Sequence, residues 1–308
     1  MTSNIIAKYM HPKKNIGKQS LEDLHLLKKI ESIFKEKRGY IFRMPKPGSK
    51  VISLLSGGLD TTIVTSLLLD KYKLEVYPVH FLRPYPAANP QSVLRSASYF
   101  CNLFKRKYKT LCHDLIILPL QFPAKNIERS ILNEGQVIIN NKTGQRRGIP
   151  FQPSSFIHEI INYSYTLKTE EQRGIKTIFA ATLASNVNWY AYESLTSYRA
   201  LMLAVCIMLN DFSWQITSFP IEKEMGWYMD KHDLIQMGSY LNLPLEKTFT
   251  CQKDYRYQCG KCIVCLLRRV AFKKANLPDK TVYETNRTDV IGKIKRKNSL
   301  LKDILRKM

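Results

Sequence analysis

The chain has 308 residues, is 44% hydrophobic and carries 48 basic against 25 acidic side chains, a net charge of +23. This supports one large folded domain with appendages and favours polyanionic partners such as nucleic acid or an acidic protein face. Seven cysteines, an odd number with four clustered, exclude a secreted disulfide framework and point to a reducing cytosol with a metal site. The longest apolar run, LMLAVCIML at 201–209, is half a membrane span, and no cleavable leader is expected from MTSNIIAKYMHPKKN, which lacks a long apolar stretch. A cytoplasmic protein without a membrane partner is expected.

Residues 1–45 are polar and basic, with one amphipathic stretch at 20–37. Leu21, Leu24, Leu27, Ile30 and Phe34 fall at helical spacing behind a capping-box-like Ser20 and Asp23. This helix is expected to lie on the neighbouring domain. From 50 onward apolar runs alternate with helical patterns. Strands are expected at 50–56, 74–81, 114–120, 176–182 and 214–220, and helices at 61–72, 91–108, 154–172, 192–209 and 230–242. Such alternation predicts an α/β fold with a doubly wound, parallel, five-stranded sheet. Composition and the strand–helix alternation divide the chain into a basic extension (1–45), an α/β domain (46–244), a four-cysteine region (245–285) and a basic tail (286–308). The tail and the loop GQRRG at 144–148 offer further contacts for a macromolecule.

The stretch ISLLSGGLDTT at 52–62 carries the first functional signal. A strand ending in Ser56-Gly57-Gly58 runs directly into a helix opened by Leu59-Asp60-Thr61-Thr62. Glycines let a phosphate approach the main chain at a helix N-terminus, and the hydroxyls add donors. The spacing is not that of a lysine-bearing GxxxxGK[ST] loop. The second signal is C-x7-C-x2-C-x2-C at Cys251, Cys259, Cys262 and Cys265. Two-residue gaps let thiolates converge on one ion, with Gly260 making the turn. Four thiolates would close the shell of a structural Zn²⁺, and an iron–sulfur cluster is the competing reading. Lys253, Arg256, Lys261, Arg268 and Arg269 are near enough to offset its charge. Cys101, Cys112 and Cys206 read as packed core thiols.

SGGLDTT resembles the SGGxD[ST] loop of the PP-loop ATP pyrophosphatases. Combined with the cysteine site and its Cys265-Leu266-Leu267-Arg268 end, the chain resembles the QueC family, the 7-cyano-7-deazaguanine synthases, over about 50–275. The resemblance implies ATP and Mg²⁺ as cofactors beside the Zn²⁺. Pyrophosphate would be released as AMP passes to the carboxylate of 7-carboxy-7-deazaguanine. Ammonia would intercept the acyl-adenylate, giving an amide and then a nitrile. Asp60 would help hold Mg²⁺ or orient the loop. DKHDLIQMG at 230–238 resembles the family's lysine-bearing helix, so Lys231 would supply the cation the loop lacks. His80 and Phe81 would lie near the adenine, and Arg83, Pro153, Ser154 and Arg268 near the substrate.

Three loops depart from the family pattern: HFLRPYPAANPQ, Pro153-Ser154-Ser155-Phe156, and TLASNVNWYAYES, which has no acid before Glu193. The activation half therefore reads as kept and the acceptor half as altered. One alternative follows: the activated deazaguanine is delivered to a protein or nucleic-acid amine, as in a specialised relative serving phage defence. Others are a PP-loop tRNA-modifying enzyme and a non-catalytic nucleotide-binding subunit. A homodimer is compatible with all four readings. Trp189 and Tyr190 are candidates for stacking on a base.

Overall fold

A computed structural model describes residues 22–82, 90–120, 124, 152–167, 174–188, 190–251 and 257–284. The tail, the GQRRG loop, Arg83, Trp189, Lys253 and Arg256 lie outside them. Five parallel strands form one sheet in the order β3-β2-β1-β4-β5. They are β1 (Lys50–Leu54), β2 (Glu75–Leu82), β3 (Ile116–Pro119), β4 (Thr177–Ala180) and β5 (Gln215–Ser218). β1 is central, with Val51 opposite Val76 of β2 and Ile52 opposite Ile178 of β4. The chain winds outward from β1 to β3 and then crosses to the other side of β1. The crevice beyond the carboxyl ends of β1 and β4 is therefore the switch point, where open α/β sheets bind ligands.

Successive β1 side chains feed opposite cores, as the strand period of two requires. Val51 joins α2 (Leu59–Asp70), α3 (Pro90–Tyr108), α6 (Lys231–Tyr240) and α7 (Ile263–Lys274) on one face. Ile52 joins α1 (Leu24–Arg38), α4 (Gln152–Ser164) and α5 (Leu195–Met208) on the other. α2 is apolar on nearly all sides because it is sandwiched between the sheet and other helices; Leu59, Ile63, Val64, Leu67, Leu68 and Leu69 are all buried. The three cysteines outside the cluster, Cys101, Cys112 and Cys206, are buried as well.

α1 buries Leu27, Ile30 and Phe34 on the domain and leaves Leu24 exposed. Its cap is Asp23, whose side chain accepts from Leu26 N–H at 2.9 Å; the expected Ser20 lies outside the described residues. Charge fastens this extension as much as apolar area. Glu22 accepts from the N–H groups of Leu195 (3.0 Å) and Thr196 (2.7 Å) at the start of α5. Glu31 meets Arg199, which also makes a bidentate pair with Glu222 at 2.9 and 2.6 Å. Arg199 and Glu222 are fully buried, and each neutralises a charge that would otherwise be stranded away from water.

Two elements differ from expectation. α4 ends at Ser164 rather than near 172, because Ser164 Oγ turns back to the Ile161 carbonyl at 2.8 Å and a turn follows. α7 was not anticipated. It begins at the last cysteine pair, where ligand spacing obscured its apolar face of Leu266, Ala271 and Phe272.

Candidate functional site

The glycine turn makes the floor of the site. Gly57 has φ +82°, and a side chain there would stand 2.6 Å from Ala97 N and Val93 O, so only glycine fits. Gly58 caps α2 in extended backbone with no side-chain cap, leaving the helix start open to an anion. Ser56 Oγ and Thr61 Oγ1 lie 2.9 Å apart and face the same opening, while Thr61 Oγ1 also accepts from Ser56 N–H at 3.1 Å. Leu59 and Thr62 are buried and anchor the helix.

Across this floor Lys231, first residue of α6, donates to Asp60 Oδ2 at 3.0 Å. The two positions are 171 residues apart, and the topology joins them. Asp60 Oδ1 is buried and has no hydrogen-bond partner among the described residues. α6 is held in register by a capping box, with Asp230 and Asp233 each bonding the other's backbone, and Asp230 also accepts from Ser185 N–H at 2.8 Å.

A cavity of about 340 Å³ opens above the floor. Its apolar side is formed by Val79, Phe81, Pro153, Phe156 and Ile157, with Phe81 stacked on Phe156 at 4.8 Å between centroids. Its polar side is formed by Thr182, Asn186, Tyr192, Glu193 and Tyr198. Tyr190 stacks on Tyr192 at 5.1 Å, behind that wall. Glu193 is a residue that motif reading did not select. Its Oε2 is buried and has no hydrogen-bond partner among the described residues. Burial pushes its carboxyl up to about 7; the Asp60 charge pushes the same way, whereas a hydrogen bond from Asn186 and the Lys231 charge oppose it.

Several expected contacts take other roles. His80 does not line the cavity. It is 2% exposed, burial lowers its pKa, and the neutral ring donates Nδ1–H to the Leu55 carbonyl at 3.1 Å, propping the loop from behind. Ser154 adjoins Pro153 without lining the cavity. Arg268 is corrected from substrate contact to buried brace. At 1% exposure its guanidinium donates to Thr281 Oγ1 (3.0 Å), Thr248 Oγ1 (2.7 Å) and the Leu245 carbonyl (2.7 Å).

That brace leads to the cysteines. All four Sγ atoms of Cys251, Cys259, Cys262 and Cys265 lie within 4.8 Å of one another, with Cys251–Cys262 and Cys259–Cys265 at 3.9 Å. Thiolates around one tetrahedral ion at a 2.3 Å bond length stand about 3.8 Å apart, so the set fits a single metal ion. Gly260, at φ +70°, makes the turn. Backbone N–H groups of Lys261 and Cys262 point at Cys259 Sγ (3.4 and 3.2 Å), that of Cys259 points at Cys251 Sγ (3.3 Å), and Cys262 caps α7. These dipoles favour thiolate over thiol. The segment between braces and cysteines also supports the nucleotide loop: Phe249 N–H donates to Gly57 O at 2.9 Å, and Ser96 Oγ bridges Gly57 O and Lys247 O at 2.8 and 2.9 Å.

A parallel sheet with a glycine turn at its switch point, an acid–lysine pair beside it and a four-thiolate centre behind it defines a nucleotide-binding α/β protein with a metal-supported loop. The family model described as "Queuosine biosynthesis protein QueC" matches residues 50–276, and the chain belongs to this family. It is 27% identical over 236 residues to a 7-cyano-7-deazaguanine synthase of Nitratiruptor sp., covering 77% of this chain and 99% of the relative. It is 26% identical over 249 residues to that of Thermoplasma volcanium, covering 78% and 92%. Among solved structures, the U34-tRNA thiolase NcsA of Methanococcus maripaludis and the NH3-dependent NAD synthetase of Campylobacter jejuni each align over 92% of this chain, and over 80% and 95% of their own. Their TM-scores are both 0.34, at 14% and 15% identity. Family membership makes the chain an ATP-dependent synthase or ligase.

Proposed function

We propose that the chain adenylates the carboxylate of 7-carboxy-7-deazaguanine or a close analogue, releases pyrophosphate, and passes the acyl group to nitrogen. The observation that carries this reading is the pairing of an open α2 N-terminus with Lys231 held against Asp60. The turn offers N–H groups and hydroxyls to the phosphates. Lys231 offers charge to the leaving pyrophosphate, and such preorganised donors are the main need of phosphoryl transfer. Mg²⁺ would enter with the nucleotide and offset its charge; the unpartnered Asp60 Oδ1 is the protein oxygen suited to face it. The four thiolates would hold a structural Zn²⁺, with no position left for a reactant.

One feature favours a second reading, in which the amine belongs to a protein or nucleic acid. The cavity's acceptor wall departs from the family pattern, and an extension that lies before the family-matched region clamps the helix behind that wall. Incubation with Mg-ATP, ammonium and 7-carboxy-7-deazaguanine tests the primary reading. Carboxylate-dependent AMP and pyrophosphate, absent in Asp60→Ala, are expected. Carboxylate-independent turnover, or ADP in place of AMP, would overturn it.

A further inference from the structure

The polar wall of the cavity holds a carboxylate, that of Glu193, with one oxygen unpartnered among the described residues. Glu193 sits on a short turn just before α5, fixed by Ser194 as N-cap and by Glu22 clamping the next two N–H groups. Glu193 lines the same cavity as Ser56 and Thr61, and its buried Oε2 has no hydrogen-bond partner among the described residues. The groups facing it are Asn186, Tyr192 on its own turn, Tyr198 from α5, Asp60 from α2 and Lys231 from α6. Lys231 is already engaged by Asp60. A buried carboxylate with one oxygen unpartnered is costly even with the Asn186 hydrogen bond on it, and a neighbouring triphosphate and substrate carboxylate would raise that cost further. The arrangement is relieved by a ligand that brings N–H donors and positive charge.

We propose that Glu193 is the residue that binds the nitrogen nucleophile as its ammonium form and takes its proton. The inference rests on the adenylation reading above. Adenylation needs no base, because the attacking carboxylate is already ionised. The second half-reaction does, because ammonia and alkyl amines are protonated at neutral pH. The ammonium ion gives one proton to the Glu193 carboxylate. The freed lone pair then forms the C–N bond as the C–O bond to the α-phosphate breaks. AMP leaves with that electron pair, and the nitrogen sheds its second proton to water. A carboxyl poised near neutrality suits this exchange, since a base works best when its pKa lies near the operating pH.

The test separates the two halves. Pyrophosphate exchange into ATP, driven by 7-carboxy-7-deazaguanine, reads adenylation alone; amide formation from ammonium chloride reads both. In Glu193→Gln, exchange is expected to stay within about threefold of wild type while amide formation falls about 10²–10⁴-fold, the range of general-base catalysis. The wild-type inflection of amide formation near neutrality is expected to be lost in Glu193→Gln, leaving only the steady rise that follows the free-ammonia fraction, and Glu193→Asp to restore part of the rate. Hydroxylamine, largely neutral at pH 7, is expected to trap the acyl group equally well in Glu193→Gln and wild type. Equal loss of exchange and amide formation, or a changed Mg²⁺ requirement for exchange, would overturn the proposal and assign Glu193 to the nucleotide instead. Unchanged amide formation would overturn it as well. Absence of exchange in the wild type would fell the adenylation reading itself.

Discussion

The two sides of the cavity are built by opposite means. The nucleotide side is local: Ser56 to Thr62 form strand end, turn and helix start within seven residues, and each conformational demand is met by a residue type written there. The opposite wall, proposed to receive the acceptor, is assembled from afar. Pro153, Asn186, Tyr192 and Glu193 come from three separate segments, and α5 behind them is secured by Glu22 from the N-terminal extension. A local motif is specified by one short stretch, whereas a composite wall depends on contacts between segments far apart in sequence.

The sharpest way to break this contrast is to disable one side alone. Lys231→Ala is expected to lower AMP formation by 10²-fold or more, the usual cost of removing a preorganised charge at a phosphoryl group, and to reduce exchange and amide formation together. Loss confined to amide formation would place Lys231 on the acceptor side.

Metal removal sharpens the contrast from behind the floor. Cys259→Ser, or chelation, should release the brace that runs through Gln258, Thr248 and Phe249 to Gly57. A lower melting temperature and roughly tenfold weaker ATP binding are expected, because structural metal binding is itself folding free energy. Elemental analysis should find one Zn²⁺ per chain; a stable metal-free wild type would contradict this.

Much of this nucleotide side was legible because its causes are local. The strand–helix alternation, the glycine turn and the cysteine spacing all act over a few residues. What escaped acts over long separations. Nothing near Glu22 announces that it caps a helix 173 residues away, and Glu193 lay in a stretch noted for departing from the family pattern. Arg268 matched a motif by position, yet burial turned it into a brace. His80 stood at the right strand end but on the face behind the loop. α7 was hidden by cysteines whose ligand role drew the eye from its helical period.

Two smaller effects concern the acceptor side. Glu22→Gln should cost about 1 kcal/mol or somewhat more, as loss of a charged helix-terminus partner does, and should slow amide formation more than exchange by loosening the Glu193 turn. Equal slowing of both would show that the extension serves overall stability only. The last prediction concerns pH. A carboxyl whose pKa is raised on folding binds more protons folded than unfolded, so its contribution falls as pH rises from about 4.5 to about 7. Glu193→Gln removes that penalty and should therefore raise stability at pH 8, by roughly 3 kcal/mol at most, with little change at pH 4. A destabilised variant at pH 8 would mean that the ionised carboxylate has a partner.

The most direct measurement of the central claim follows an oxygen atom. If the carboxylate attacks the α-phosphate, ¹⁸O in the carboxyl group of 7-carboxy-7-deazaguanine must appear in AMP when the acyl group passes to nitrogen. Mass spectrometry of the AMP should show one labelled oxygen per turnover, whichever amine accepts the acyl group. Unlabelled AMP from labelled substrate would contradict adenylation and with it the role assigned to both sides of the cavity.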